Sequence, residues 1–208
     1  MANKIDYSTQ EGREQAAQAA IDDAAMLEQT IEELSGASRS KRQRAATTCV
    51  LVALKEPDLL KPYVDDISDA LNRPEAQTRW EVLNALDLLG KAGQKYDDDV
   101  MALAEEALYD ENSGVVREAA FRFFCGYGSV SAANSNKVWP LIDEAVQCFH
   151  GNLEFNEMLS ALTDFSAGKI SKATAASLEE RMRFDAENAS GTLRMRAQRI
   201  VDNARKRL

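Results

Sequence analysis

With 208 residues, of which 45% are hydrophobic and 28% charged, the chain can bury a sizeable core, and its composition is not that of a disordered protein. A formal charge of -9 argues against general nucleic-acid binding, which needs a clustered positive surface. Only four prolines, abundant Ala, Leu, Glu, Arg and Lys, and little β-branched alternation predict an all-α protein. The polar stretch Met1 to Gln15 lacks the apolar region of a signal peptide, and no apolar run approaches the ~18 residues of a membrane span, so a soluble, cytoplasmic protein is expected.

Residues 1–14 are expected to form a flexible polar N-terminus, and 15–208 a single helical domain. From Gln15 to Leu34, one amphipathic helix is predicted, with Ile21, Ala24, Leu27, Ile31 and Leu34 on one face. Ser35 to Ser38 ends it, and a second helix runs from about Ser40 to Leu54, with Ala45, Ala46, Cys49 and Val52 inward. After the break at Glu56-Pro57-Asp58, Asp58 is a plausible cap for a helix from Leu59 to Leu71, where Pro62 is tolerable in the first turn. The next helices are expected over Glu75 to Leu89, closed by Gly90, and over Asp97 to Leu108.

Ser113 is placed to cap a helix whose Ala120, Phe123, Phe124 and Tyr127 share one side. Its loop is expected over Gly126 to Ser135, because glycine and serine disfavour helix continuation. A partner helix then runs from Lys137 to Phe149. Asn152 is read as the cap of Leu153 to Ala167, Gly168 as its stop, and Ser171 as the cap of a helix to about Phe184. The last helix begins at Ser190 or Thr192. It is basic, with Arg194, Arg196, Arg199, Arg205, Lys206 and Arg207 against Asp202, a local +5 that leaves -14 for the remainder.

Arg42, Arg79, Arg117, Asn156 and Arg194 recur at spacings of 37, 38, 39 and 38 residues. Three residues on stand Ala45, Val82, Ala120, Leu159 and Ala197, and six on stand Thr48, Ala85, Phe123, Leu162 and Ile200. Each helical pair exposes apolar surface that only a stacked neighbour can cover, so about five pairs are expected in an α-α superhelix with a polar helix at each end.

Val116-Arg117-Glu118-Ala119-Ala120, preceded by Asp110 to Gly114, resembles the Asp-rich turn and Val-Arg-x-x-Ala signature of HEAT repeats, which are armadillo-like superhelical repeats. The third repeat matches well, and the fourth departs from the pattern in placing Asn156 where Arg is expected. The resemblance covers nearly the whole chain. It implies a non-enzymatic scaffold that presents a curved surface to a protein or peptide, with the recurrent arginines bridging adjacent turns. The alternative it implies is a HEAT-like enzyme such as a DNA glycosylase or a bilin lyase relative.

No residue constellation announces a reaction, so no catalytic residue, cofactor or metal ligand is assigned. The runs Asp65-Asp66, Asp97-Asp98-Asp99 and Asp143-Glu144 stand at helix starts or polar faces, where negative charge suits the helix dipole. Asp97 to Asp99 lacks the spacing of a calcium loop. Cys49, Cys125 and Cys148 read as small buried apolar residues, and His150 as a residue satisfying terminal carbonyls. Trp139 reads as core and Trp80 as an exposed anchor.

Counted from the aligned ends of the second helices, Glu32, Asp69, Glu106, Gln147 and Glu180 form one column and Glu28, Asp65, Ala102, Asp143 and Ala176 another, four residues away on the same face. These columns predict an acidic ridge, with Glu28, Glu32, Asp65, Asp69, Trp80, Glu106, Asp143 and Glu180 as the candidate protein-binding residues. Its expected partner is a protein or peptide with a basic segment. No membrane contact is expected, and nucleic acid only through the basic C-terminal helix.

Overall fold

The computed structural model describes residues 5–208. Among these there are eleven α-helices and no strand, so each unit is all-α. The chain divides into two compact units, Met1–Ala107 and Leu108–Leu208.

In the first unit, α1 (Gln10–Asp22) and α2 (Ala24–Ser35) replace the one helix expected over 15–34. Asp23 breaks the run: its backbone is extended, its carboxylate accepts from the Ala25 N–H, and its own N–H closes the first helix on Ala19. A short Asx-type residue finds these local partners more readily than a helix-interior conformation. Helix α1 also starts five residues before the expected helix, because the Thr9 hydroxyl accepts from the Gly12 N–H.

Helix α3 (Arg39–Lys55) buries Ala45, Ala46, Cys49 and Val52, as the spacing predicts. Residues 59–71 are not the continuous helix that was expected. Pro57 and Pro62 lack the N–H that an α-turn would need, so Leu60 donates to Pro57 and Tyr63 to Leu60 in two 3₁₀ turns, and Asp58 caps nothing. Only Val64–Asp69 (α4) is α-helical before a further 3₁₀ turn at Ala70–Asn72. Helix α5 (Ala76–Lys91) runs through Gly90 rather than stopping there, and the chain turns at Gly93, whose φ of 89° favours glycine. Helix α6 spans Asp98–Leu108. Within this unit α3 packs on α5 and α2 on α4, so first and second helices form two rows, while α1 covers α2 and α3.

The second unit holds α7 (Gly114–Ser129), α8 (Ala132–Cys148), α9 (Phe155–Ala167), α10 (Lys172–Asn188) and α11 (Gly191–Arg205). Here α7, α9 and α11 stack in sequence, and α8 packs on α10. Phe123, Phe124, Phe121 and Phe165 are fully buried. Most of the loop expected over Gly126 to Ser135 is helix instead, with the break confined to Val130 and Ser131. A Cβ on Gly128 would lie 2.7 Å from both Phe165 and Val138, so this glycine serves close packing between helices and does not end one.

Trp139 and Pro140 consequently sit inside α8 rather than at its start. Asn152 does not cap α9, whose N-cap position is held by Glu154, whereas Ser113 and Ser171 cap α7 and α10 as expected. Helix α11 buries a narrow stripe of Ala197, Ile200, Val201 and Ala204.

Two of the recurrent arginines, Arg42 in the first unit and Arg117 in the second, share one geometry. Arg42 donates from Nη1 to the Gly36 carbonyl at 2.7 Å and from Nε to Glu75 at 3.1 Å. Arg117 donates from Nη1 to the Asp110 carbonyl at 2.6 Å and from Nε to Glu154 at 2.7 Å. In both, the guanidinium ties the turn before its own helix to the carboxylate that starts the next first-row helix. The Arg42 hydrogen bonds hold the Glu75 carboxyl below its ordinary range.

Candidate functional site

Helix α2 turns Leu27, Ile31 and Leu34 into the core, which leaves Glu28 and Glu32, one turn apart, exposed. Helix α4 buries Val64, Ile67 and Ser68 and exposes Asp65, Asp66 and Asp69. Because α2 packs on α4, these carboxylates face one cleft of about 560 Å³, whose lining also includes Tyr63, delivered by the 3₁₀ turn ahead of α4. Asp69 pairs with Arg73 at 3.1 Å, while Glu28, Glu32, Asp65 and Asp66 make no ion pair with a described residue. A cleft lined by one sign of charge concentrates its field and enriches oppositely charged ligands.

Asp65 and Asp69 also border a second cleft of about 340 Å³, shared with Asp97, Asp99, Val100 and Leu103. Asp97 is partly committed to structure, its carboxylate accepting from the Val100 N–H at 3.0 Å, in line with the helix-start role read from sequence. The carboxylates are not gathered for chelation: no group of three or more His, Cys, Asp or Glu among the described residues is placed to hold a metal ion.

The remaining candidates lie elsewhere. Glu106 is exposed on α6 outside both clefts, and Trp80 is half-buried on α5, in the other row of helices. In the second unit Asp143 and Glu180 face a cleft of about 510 Å³ with Trp139, Ser177, Arg181 and Phe184. There Asp143 is neutralised. Arg181 grips both Asp143 oxygens at 2.5 and 2.9 Å, and this hydrogen bonding pushes the guanidinium pKa up.

Trp139 stacks on Phe165 with 6° between the ring planes, and Phe184 is 72% exposed. The structure brings Glu28, Glu32, Asp65 and Asp69 of the sequence columns to one cleft, together with Tyr63, which the 3₁₀ turn delivers, and Asp66, which lies on α4 outside both columns.

Two side chains read as structural behave differently. His150 does not bind carbonyls: its Nε2 lies 3.2 Å from both oxygens of Asp185, and its ring packs on Phe155 at 4.9 Å. Cys49 and Cys125 are buried, but Cys148 is exposed on α8.

No protein-family model and no curated protein matches the sequence. Solved structures do. An engineered protein superposes with a TM-score of 0.69 at 17% identity over 99% of this chain and 95% of its own. A designed armadillo repeat protein in complex with the peptide (KR)4 has a TM-score of 0.68 at 14% identity, over 94% and 92%. A computationally designed armadillo repeat protein for modular peptide recognition gives 0.65 at 14%, over 97% and 95%. The chain therefore has an armadillo-like helical-repeat fold. No described helix is long and apolar enough to cross a membrane.

Proposed function

We propose that the protein is a repeat scaffold that binds a Lys/Arg-rich segment of another protein in the cleft between α2 and α4. The observation that carries this reading is the convergence of Glu28, Glu32, Asp65, Asp66 and Asp69 on one cleft, with only Asp69 neutralised by an ion pair. A guanidinium or ammonium entering it gains charge-assisted hydrogen bonds from carboxylates that no neighbouring cation already satisfies. Tyr63 adds an aromatic surface over which a cation is attracted. The designed armadillo repeat protein of similar fold that was solved with (KR)4 supports a basic peptide as the ligand class.

The test is fluorescence anisotropy with labelled (KR)4 as the probe, beside a Gly/Ser peptide of equal length. Saturable binding that weakens as salt is raised is expected. Joint replacement of Glu32→Gln, Asp65→Asn and Asp66→Asn is expected to weaken it by about tenfold or more, while Glu180→Gln leaves it unchanged. Equal loss from Glu180→Gln would reduce the effect to net charge, and an unaltered triple variant with native circular dichroism would remove the cleft from the binding.

A further inference from the structure

The first unit also carries a pocket of opposite character. It measures about 260 Å³, and its lining shares no residue with the acidic clefts. Two guanidinium groups, Arg13 and Arg44, border it together with the Ser40 hydroxyl and the Gln43 and Gln77 amides, and no carboxylate belongs to the lining. In a chain of net charge -9 such a grouping of donors is not what the average surface supplies.

The pocket is built, not incidental. Asp6 to Thr9 form a turn in which the Thr9 N–H donates to the Asp6 carbonyl at 3.2 Å and the Ser8 N–H to the Asp6 carboxylate at 3.0 Å. That turn rests directly on α1 at Gly12, where a Cβ would come within 1.9 Å of the Asp6 carbonyl oxygen. Arg13 fixes the turn from below, its Nη1 lying 3.3 and 3.4 Å from the Tyr7 and Ser8 carbonyls. Its Nε and Nη2 make no hydrogen bond to a described residue, although the Glu81 carboxylate, 3.2 Å from the lining Thr47 hydroxyl, is close enough to feel the Arg13 charge. The turn thereby holds the Tyr7 ring under the Arg44 guanidinium, 5.0 Å from its centroid.

Stacking covers one face of the Arg44 guanidinium and leaves its edge available for a fork of two parallel hydrogen bonds. Arg44 makes no ion pair with a described residue. Asp6 attracts it from outside the lining but is held in place by Ser8. Two guanidinium forks flanked by hydroxyl and amide donors match a tetrahedral oxyanion, whose oxygens accept several hydrogen bonds at once.

We propose that this pocket binds a phosphate group, as free phosphate or as a small phosphate monoester. The site is independent of the basic-peptide reading, and either can fail alone. Inorganic phosphate and O-phosphoserine, each titrated at constant ionic strength and followed by backbone amide NMR, are the probes, with acetate as the monovalent control.

Saturable shifts confined to residues around Ser40, Arg44 and Gln77 are expected for phosphate and weaker ones for acetate. Arg44→Gln and Arg13→Gln should each weaken binding about tenfold, and the double variant should abolish it. Response to both probes identifies a monoester site, and response to inorganic phosphate alone identifies a site for the free ion. No saturable shift up to about 20 mM of either probe, or equal shifts in a folded double variant, would overturn the assignment.

Discussion

Arg117 and Glu154, thirty-seven residues apart in sequence, meet in a hydrogen-bonded ion pair whose Nε to Oε1 distance is 2.7 Å. Burial alone would push the Glu154 carboxyl up, but its own backbone N–H and the Arg117 guanidinium outweigh this and hold it below its ordinary range. The first residue of α7 makes room for the pair: a Cβ on Gly114 would sit 3.1 Å from the Glu154 carboxylate.

Removing one partner strands the other in a largely water-excluded setting. Glu154→Ala is therefore expected to destabilise the protein by about 1 to 3 kcal/mol. Once Arg117→Ala is present, the further loss on adding Glu154→Ala should shrink. Additive losses in a denaturation double-mutant cycle would show that the two residues do not couple.

Phe123 and Phe124 are both fully buried and meet edge to face at 5.3 Å. Each should cost on the order of 3 to 5 kcal/mol when replaced by Ala, the range for deleting a packed aromatic. Equilibrium denaturation showing under about 1 kcal/mol lost in both would contradict the burial of this face.

Glu81 is partly buried on α5, and desolvation pushes its carboxyl above the ordinary range despite the Thr47 hydroxyl, which lies 3.2 Å from it, and the nearby charge of Arg13. An acid whose pKa is raised by folding binds its proton more tightly in the native state. Its contribution is therefore fully present below the unfolded pKa and is lost as pH rises through the folded value.

Glu81→Gln should accordingly raise the melting temperature at pH 7 relative to wild type, and the gain should disappear near pH 4. Solvent around the part-exposed carboxyl keeps the effect below about 1 kcal/mol. A gain of equal size at both pH values, or a loss at pH 7, would show that ionisation of Glu81 carries no cost.

The recurrence of arginine and small apolar residues at spacings of 37 to 39 was sufficient to specify a stacked helical repeat, because each helix must bury a periodic apolar face and only a neighbouring repeat can cover it. Columns of like residues counted along those helices likewise placed Glu28, Glu32, Asp65 and Asp69 together. Where the backbone leaves the ideal period, local sequence was silent or misleading. Asp23 divides a helix that looks continuous, two prolines wind 57–63 into 3₁₀ turns that bring Tyr63 into the acidic cleft, and Gly128 lies within a helix as a close-packing residue, where Phe165 and Val138 leave no space for a Cβ.

Charge pairing was beyond the sequence for the same reason. Asp143 and Asp65 occupy equivalent positions in the helical pattern, yet Arg181 neutralises one and no described cation meets the other. Which carboxylate stays available to a ligand depends on contacts between helices roughly one repeat apart, and those form only when the repeats pack.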